Sequence, residues 1–160
     1  WTPTVEGYDI EEVEAHHKHA YRLIYKVRNH RDLFNHHYEK KYMDDDPDLV
    51  VVSYGSPSRV VNTSVEKARS QGLKVGSLRL INIWPFPDEL FDLKTKYLCV
   101  ELNWDGELVR EVRRAVPKDS GVHFLGTCGD LPTTPDLLES YEKLLKNEPL
   151  SRKGWVLEAW

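Results

Sequence analysis

The strongest structural signal in the chain is the run Leu49-Val-Val-Val-Ser-Tyr54, with Gly55 and Pro57 directly behind it. Its apolar residues are mostly β-branched and do not alternate with polar ones, which is typical of a strand covered on both faces. Gly55 and Pro57 predict a sharp turn at its end. A helix over residues 58–71 follows, because apolar side chains return there at helical spacing. Gly72 stands where a left-handed residue is expected to end that helix.

The same strand-then-helix cycle repeats along the rest of the chain. Further strands are predicted over residues 75–83, 97–102 and 122–125. Helices are predicted over residues 88–93 and 107–116 and around residues 137–145. Strands that alternate with helices predict an α/β fold, here three layers (α/β/α) around a mostly parallel sheet of four or five strands.

The residues before this cycle form a different kind of segment. From Ile10 to Val27, apolar or neutral residues return every three or four positions, which predicts a long amphipathic helix that continues to Phe34. The sequence Met43-Asp-Asp-Asp-Pro47 ends it, because proline lacks an amide hydrogen and the three carboxylates repel one another. We therefore divide the chain into a helical connector (1–47), an α/β domain (48–146) and a C-terminal tail (147–160).

Both ends of the chain suggest a larger assembly. The opening Trp1-Thr-Pro-Thr4 resembles the middle of a connector, so we expect a piece of a longer polypeptide. In the tail, Trp155 and Trp160 are large aromatic residues on an otherwise polar terminus, which favours interface anchors. A tail that folds back onto its own domain is an equally open alternative.

The composition argues against several classes of protein. The 22 Lys and Arg residues against 26 Asp and Glu residues give a net charge of -4 without a basic stripe, so we expect no nucleic-acid partner. The apolar runs are too short to span a bilayer, so we expect no membrane partner. Cys99 and Cys128 lack the spacing of a disulfide framework, a zinc site or an iron–sulfur site, which favours a reducing, cytoplasmic location.

Residue types that often bind ligands are present without the motifs that would organise them. The turn Tyr54-Gly-Ser-Pro57 lacks both the G-x-G-x-x-G pattern and a P-loop lysine, so dinucleotide binding is not expected. Its backbone amides could still hold an anion, and a plain tight turn is the alternative. Adjacent histidines on the N-terminal segment point to different helix faces, which argues against a metal site.

One group of carboxylates follows the third predicted strand. Glu101, Asp105 and Glu107 lie close enough in sequence for acid–base chemistry. No nucleophile or oxyanion partner lies nearby, however, and a helix cap by Asn103 or Asp105 is the stronger interpretation. The sequence therefore predicts no catalytic, cofactor-binding or metal-ligating residue in this chain.

The motifs also occur in a characteristic order. They are Asp48 to Ser56, Gly72 to Arg79, Trp84-Pro-Phe-Pro87, Tyr97 to Asn103, Gly106 to Arg114, and Gly126-Thr-Cys-Gly129 followed by Pro132-Thr-Thr-Pro135. In this order they resemble the α subunit of 2-oxoacid:ferredoxin oxidoreductases, over about residues 16–145. The matching part is similar to that family's C-terminal domain, which implies a transketolase C-terminal-like fold. The Trp84-to-Pro87 turn is closer to the branches acting on 2-oxoglutarate or branched-chain 2-oxoacids than to the pyruvate branch.

The resemblance implies a role for the whole enzyme rather than for this chain alone. Enzymes of that family decarboxylate a 2-oxoacid on thiamine diphosphate with Mg²⁺, reduce ferredoxin through a 4Fe-4S cluster and form acyl-CoA from coenzyme A. The resemblance implies that these cofactors lie mainly on other domains and on a thiamine-binding β subunit, so that this chain binds none of them. It departs from the family at Glu107, where glutamine is common; an interface bond made by that glutamine would be altered here.

We therefore expect a structural and assembly domain whose partners are the β subunit and the remaining α-subunit domains. Partners of open parallel sheets gather at the carboxyl ends of the strands. The residues expected to face a partner are Tyr54, Gly55, Ser56, Trp84, Phe86, Asn103 and Trp104. Ordinary edge packing is the alternative for Trp84 and Phe86. A stand-alone small-ligand or regulatory module, and the equivalent domain of another thiamine enzyme, are the other functions considered.

Overall fold

A computed structural model describes residues 2–3, 9–10, 13–34 and 37–151 of the chain. The chain divides into two compact units, Trp1–His36 and His37–Trp160. The expected anchoring roles of Trp155 and Trp160 lie outside the described residues.

The first unit contains a short ladder and one long helix. Strand β1 (Thr2–Pro3) pairs antiparallel with β2 (Asp9–Ile10). Helix α1 covers Val13–Arg28, and a 3-10 turn follows at Arg31–Leu33. The predicted amphipathic helix is therefore present, but it begins at Val13 because Ile10 belongs to β2, and it ends at Arg28 rather than at Phe34. None of the residues of α1 is buried.

The second unit is built on a five-stranded sheet. Its strands are β3 (Tyr38–Lys41), β4 (Leu49–Tyr54), β5 (Val75–Leu80), β6 (Lys96–Glu101) and β7 (Val122–Gly126). They lie side by side in the order β3-β5-β4-β6-β7. Strands β4 to β7 run parallel, and β3 pairs antiparallel with β5 at one edge. The carboxyl ends of the four parallel strands consequently share one edge of the sheet.

Three helices connect these strands, and local sequence signals set their ends. They are α2 (Pro57–Ser70), α3 (Glu107–Ala115) and α4 (Thr134–Leu145). Proline is tolerated at the start of α2 because the first amide of a helix has no partner within it. Gly72 has a φ of +83° just after α2, as predicted for a helix end. At the start of α4, the Thr133 hydroxyl and the Asp136 carboxylate form a reciprocal capping box.

The core lies on both faces of the sheet, because successive strand residues point to opposite sides. Leu49 and Val51 belong to a buried cluster that includes side chains of α2 and α4. Val50 and Val52 belong to a second cluster, with side chains of α3 and the 3-10 turn Asp88–Leu90. A run buried on both faces is therefore the central strand of a three-layer molecule. The predicted α/β fold class, with a mostly parallel sheet, is confirmed.

The second unit begins earlier in the chain than the sequence suggested. We assigned residues 1–47 to a connector, yet Tyr38 pairs with Leu80 and Lys41 with Ser77 across the β3–β5 ladder. The compact unit begins at His37 rather than at Asp48. Strand β3 is short and polar, so its sequence shows no apolar pattern, and its place depends on backbone pairing with β5.

Several predicted element ends also differ in the structure. Strand β5 ends at Leu80 rather than at residue 83, and β6 ends at Glu101 rather than at residue 102. The helix predicted over residues 88–93 is a 3-10 turn at Asp88–Leu90. Within the described residues, no helix is both long and apolar enough to cross a membrane.

Candidate functional site

Exposed apolar side chains collect at the carboxyl edge of the sheet. Six large exposed apolar residues lie in the segments that follow β5, β6 and β7. They are Ile81, Ile83, Trp84, Leu102, Trp104 and Leu131. We call this set the carboxyl face. Trp84 is 60% exposed and Trp104 is 59% exposed. Among the described residues of the second unit, the other large exposed apolar side chain is Tyr42, which follows the antiparallel strand β3.

A groove of about 300 Å³ opens at this edge. Its lining residues are Tyr54, Ile83, Trp84, Phe86, Glu107, Leu108 and Glu111. The side chains from the turn after β5 meet those from the first turns of α3 here. The lining is therefore mainly apolar, with the two carboxylates on the α3 side.

The floor of the groove is fixed by core packing. Phe86 is 4% exposed and stacks on Phe91, with ring centroids 5.2 Å apart. The guanidinium of Arg114 lies 5.7 Å from the Phe86 ring centroid. Arg114 also pairs with Asp88 at 2.5 Å, which ties the 3-10 turn to α3. Phe86 is thus packed in the core and forms the floor of the groove, while its neighbour Trp84 extends into solvent.

The start of α3 is organised by a buried carboxylate, Glu101, which is fully buried at the end of β6. Its Oε1 accepts a hydrogen bond from the Val109 amide, and its Oε2 accepts one from the Leu108 amide, both at 2.9 Å. Asn103 donates from Nδ2 to the same Oε2 at 2.9 Å. Free amides at a helix start attract anions. Because Glu101 already occupies those amides, this helix start is filled by the chain's own carboxylate.

Asn103 or Asp105 was expected to cap this helix, but its first amides are bound mainly by Glu101. The Asn103 Oδ1 accepts a hydrogen bond at 2.7 Å from the amide of Gly106, the residue before the helix. Gly106 has a φ of +71°, a conformation that favours glycine. Asp105 instead forms an ion pair with Arg110 at 2.7 Å. Of the two carboxylates that follow Glu101, Asp105 thus has a structural partner, whereas Glu107 forms no ion pair among the described residues.

Tyr54 links this network to the groove. Its side chain is half-buried at the end of β4. Burial and the nearby Glu101 raise the pKa of the Tyr54 phenol, a hydrogen bond with Asn103 opposes that effect, and Glu107 adds to it. The phenol is therefore neutral at physiological pH and can donate a hydrogen bond. It is the polar group on the β4 side of the groove.

The seven residues expected to face a partner all lie near the carboxyl edge, but they do not form one site. Tyr54, Trp84 and Phe86 line the groove, and Asn103 holds its α3 wall. Trp104 is exposed outside the groove lining. Gly55, with a φ of +61°, and Ser56, whose side chain makes no capping bond, form the exposed turn into α2.

Several residues of this region were missed by the sequence analysis. Ile81, Ile83 and Leu102 were assigned to strands, because apolar residues that continue past a strand look the same in sequence as buried ones. Leu108 was assigned to the helix core, and it also lines the groove. Glu111 was not singled out at all. On this wall the sequence analysis had singled out Glu107, which lines the groove.

The cysteines and the described metal-binding side chains do not fit the 4Fe-4S cluster or a metal ion held by this chain alone. A 4Fe-4S cluster is held by four cysteine thiolates, whereas the chain contains two cysteines. Of these, Cys99 is buried within β6 and Cys128 is exposed, and both are free thiols. Across the described ranges, no three His, Cys, Asp or Glu side chains come together in a way that could hold a metal ion.

Comparison with known proteins identifies the family of this fold. Residues 47–137 match the model of the pyruvate:ferredoxin oxidoreductase core domain II. The chain is 38% identical over 135 residues to the 2-oxoglutarate synthase subunit KorA of Methanothermobacter marburgensis, covering 81% of this chain and 35% of that protein. It is also 39% identical over 80 residues to the ketoisovalerate oxidoreductase subunit VorB of Methanothermobacter thermautotrophicus. That match covers 48% of this chain and 22% of VorB.

A solved structure agrees with this assignment at the level of the fold. The 2-oxoglutarate:ferredoxin oxidoreductase from Magnetococcus marinus aligns with a TM-score of 0.69 and 21% identity, covering 89% of this chain and 25% of that one. This chain therefore spans about a third of the length of the curated relative that it matches over most of its own length. The match over more than half of its residues, together with the identity to these relatives, confirms the resemblance seen in the motifs: the chain belongs to the 2-oxoacid:ferredoxin oxidoreductase family and corresponds to its core domain II.

Proposed function

We propose that this chain is an assembly domain of a thiamine-diphosphate-dependent 2-oxoacid:ferredoxin oxidoreductase, and that it contacts the rest of the enzyme through its carboxyl face. The observation that carries the proposal is the set of six exposed apolar residues that follow the strands at one edge of the sheet. Exposed apolar residues concentrated in one region mark interaction sites on soluble proteins. The partners would be the thiamine-binding β subunit and the remaining domains of the α subunit.

The oxidation of the 2-oxoacid would take place on other parts of the enzyme, not on this chain. Thiamine diphosphate, Mg²⁺, the 4Fe-4S cluster and coenzyme A would be bound elsewhere in the full enzyme, and ferredoxin would be a partner of the whole complex. The two cysteines and the absence of a metal-binding group in the described residues support this division. The free thiols also favour the cytoplasm as its compartment.

For the substrate, we propose 2-oxoglutarate or a branched-chain 2-oxoacid rather than pyruvate. The relatives named 2-oxoglutarate synthase and ketoisovalerate oxidoreductase support this choice. The expected test uses the complete enzyme that contains this chain, with reduction of methyl viologen as the readout. Turnover should be fastest with 2-oxoglutarate or 2-oxoisovalerate. Faster turnover with pyruvate would contradict the substrate assignment.

The assembly role is tested by binding. In the full-length polypeptide that contains this chain, the double substitution Trp84→Ser and Trp104→Ser should weaken the association with the thiamine-binding subunit at least about tenfold, since buried aromatic anchors dominate interface energies. Tyr42→Ser is the matched control, because Tyr42 is also exposed but follows β3 rather than the parallel strands. Equal affinities for the two variants and the wild type would contradict an interface at the carboxyl face.

An isolated chain should show no activity. Reduction of viologen by this purified chain with a 2-oxoacid, in the absence of the other subunit, would overturn the assembly role. The alternative function is a stand-alone module that binds a small ligand, and its site would be the groove, whose volume is at the lower end of ligand-binding clefts. If the polypeptide isolated from its source cells had a mass near 18.7 kDa and no partner subunit, that result would support the alternative.

A further inference from the structure

The groove has an unbalanced charge on one wall. Glu111 pairs with Arg114 at 3.0 Å, and the same guanidinium pairs with Asp88. Asp105, near the start of α3, pairs with Arg110. Glu107 is exposed on the first turn of α3, and among the described residues no cation lies within ion-pair distance of it. Arg114 is therefore shared by Asp88 and Glu111, and the charge of Glu107 is left without an ion-pair partner among the described residues.

That charge faces the groove. Glu107 is one of the lining residues, and its carboxylate adds to the upward shift of the pKa of Tyr54 on the opposite side. The lining contains no lysine, arginine or histidine. An occupant of the groove that carries a positive charge would therefore meet a carboxylate without displacing an existing ion pair.

The apolar residues that line the groove determine which other side chains can bind there. Ile83, Trp84, Phe86 and Leu108 form an apolar surface, and more than half of the Trp84 side chain is exposed next to it. Arginine and lysine bury their aliphatic stems along such surfaces while the charged end reaches a polar group. Their cations also bind favourably over the face of a tryptophan ring. A volume of about 300 Å³ admits individual side chains rather than a whole helix.

We infer that the groove binds a segment of the partner subunit in which an arginine or lysine adjoins an apolar side chain. The cation pairs with Glu107, and the apolar side chain packs against Trp84 and the floor formed by Phe86. This inference rests on the proposed assembly function and adds the chemistry of the partner. A carboxylate is a stronger partner for that cation than a neutral side chain is.

The test measures binding of the full-length polypeptide to its thiamine-binding subunit at 50 mM and 300 mM NaCl. Glu107→Lys should weaken binding at least about tenfold at low salt, because two cations then face each other. Glu107→Gln should weaken it about threefold and reduce its dependence on salt. The matched control is Glu142→Lys, which makes the same charge change on the exposed side of α4 and should leave binding unchanged.

The outcomes separate this inference from the proposed function. If both Glu107 variants bind like the wild type at both salt concentrations while Trp84→Ser with Trp104→Ser weakens binding, the inference is overturned and the assembly role stands. If the wild-type polypeptide forms no complex with the subunit, both are overturned. Far-UV circular dichroism and urea unfolding of each variant exclude loss of structure as the cause of weak binding.

A second measurement identifies the occupant directly. Benzoylphenylalanine introduced at position 84 of the full-length polypeptide should cross-link to the partner subunit under ultraviolet light. Mass spectrometry should then find a partner peptide with an arginine or lysine next to an apolar residue at the cross-linked position. A cross-linked peptide that lacks a basic residue would overturn the inference.

Discussion

Glu101 shows how a single buried carboxylate can define the local structure of a site. It lies at the end of β6, accepts hydrogen bonds from two amides of α3 and one from Asn103, and is fully buried. Buried donors that lose their acceptor keep their full desolvation penalty. The residue therefore couples the end of β6 to the helix that forms the acidic wall of the groove.

We expect Glu101→Ala to lower the free energy of unfolding by about 3 kcal/mol, because it leaves three donors without an acceptor. The matched substitution is Glu107→Ala on the first turn of α3, where only an exposed carboxylate near the helix dipole is lost, at a cost below about 1 kcal/mol. Urea unfolding of the two variants measures both values. Similar stabilities for the two variants would show that the Glu101 hydrogen bonds contribute little.

His123 provides a pH-dependent contribution at the opposite edge of the sheet. It lies half-buried in β7, in a wide depression that also contains Lys96. Burial lowers the pKa of His123 below its usual value of 6.5, and the positive charges of Lys96 and Arg113 lower it further. The unfolded chain thus binds a proton at a higher pH than the folded one.

The sign of the effect follows from that difference. Well above pH 6.5 the imidazole is neutral in both states, and no stability is lost. As the pH falls below 6.5, the unfolded state takes up the proton first and stability decreases until the folded pKa is passed. We expect wild-type protein to lose more stability than His123→Gln between pH 7.5 and pH 5.5 in urea unfolding. Equal losses for the two proteins would refute this role of His123.

At the scale of elements, one buried hydrogen bond joins α2 to α4. The hydroxyls of Ser64 and Tyr141 lie 2.7 Å apart on the face of the sheet that these two helices cover. Burial raises the pKa of Tyr141, and its hydrogen bond with Ser64 opposes that shift. Ser64 Oγ also donates to the carbonyl of Val61 at 2.9 Å, so Ser64 has a second partner.

Ser64 has two hydrogen-bond partners and Tyr141 has one among the described residues, so removing the two hydroxyls should lower the free energy of unfolding by different amounts. Ser64→Ala leaves the Tyr141 hydroxyl buried without a described partner and should cost about 2 kcal/mol. Tyr141→Phe leaves Ser64 bonded to Val61 and should cost about 1 kcal/mol. In the double variant no unpaired hydroxyl remains, so its loss of stability should be smaller than the sum of the single losses. Additive losses in urea unfolding would show that the two side chains are not coupled.

The elements differ in how well the sequence predicts them. The buried runs of β4 to β7 and the apolar spacing of α2 to α4 are strong signals, because burial on both faces demands apolar side chains. Strand β3 (Tyr38-Glu-Lys-Lys41) is polar with two exposed side chains at its centre, and its backbone ladder to β5 leaves no mark in the sequence. Of the six residues of the carboxyl face, the sequence analysis named Trp84 and Trp104 but missed Ile81, Ile83 and Leu102, which read as continuations of their strands.

At the scale of the whole molecule, the edge strand β3 determines where the second unit begins. Arg79 Nη1 binds both carboxylate oxygens of Glu39 at 3.1 Å, and Lys41 pairs with Glu66 of α2 at 2.6 Å. Tyr38 and Met43 pack against the second core cluster. Residues 37–47 therefore contribute side-chain packing, ion pairs and a ladder, and they cover the edge of β5.

We expect a fragment of residues 37–160 to unfold cooperatively and a fragment of residues 48–160 to be less stable by at least about 3 kcal/mol, since the latter loses two half-buried apolar side chains in addition to the ladder. The uncovered edge of β5 should also promote association between copies, because unpaired strand edges accept further strands. Urea unfolding and analytical ultracentrifugation of the two fragments measure these effects. If both fragments were monomeric and equally stable, the folding unit would begin at Asp48, and β3 would not be needed for its stability.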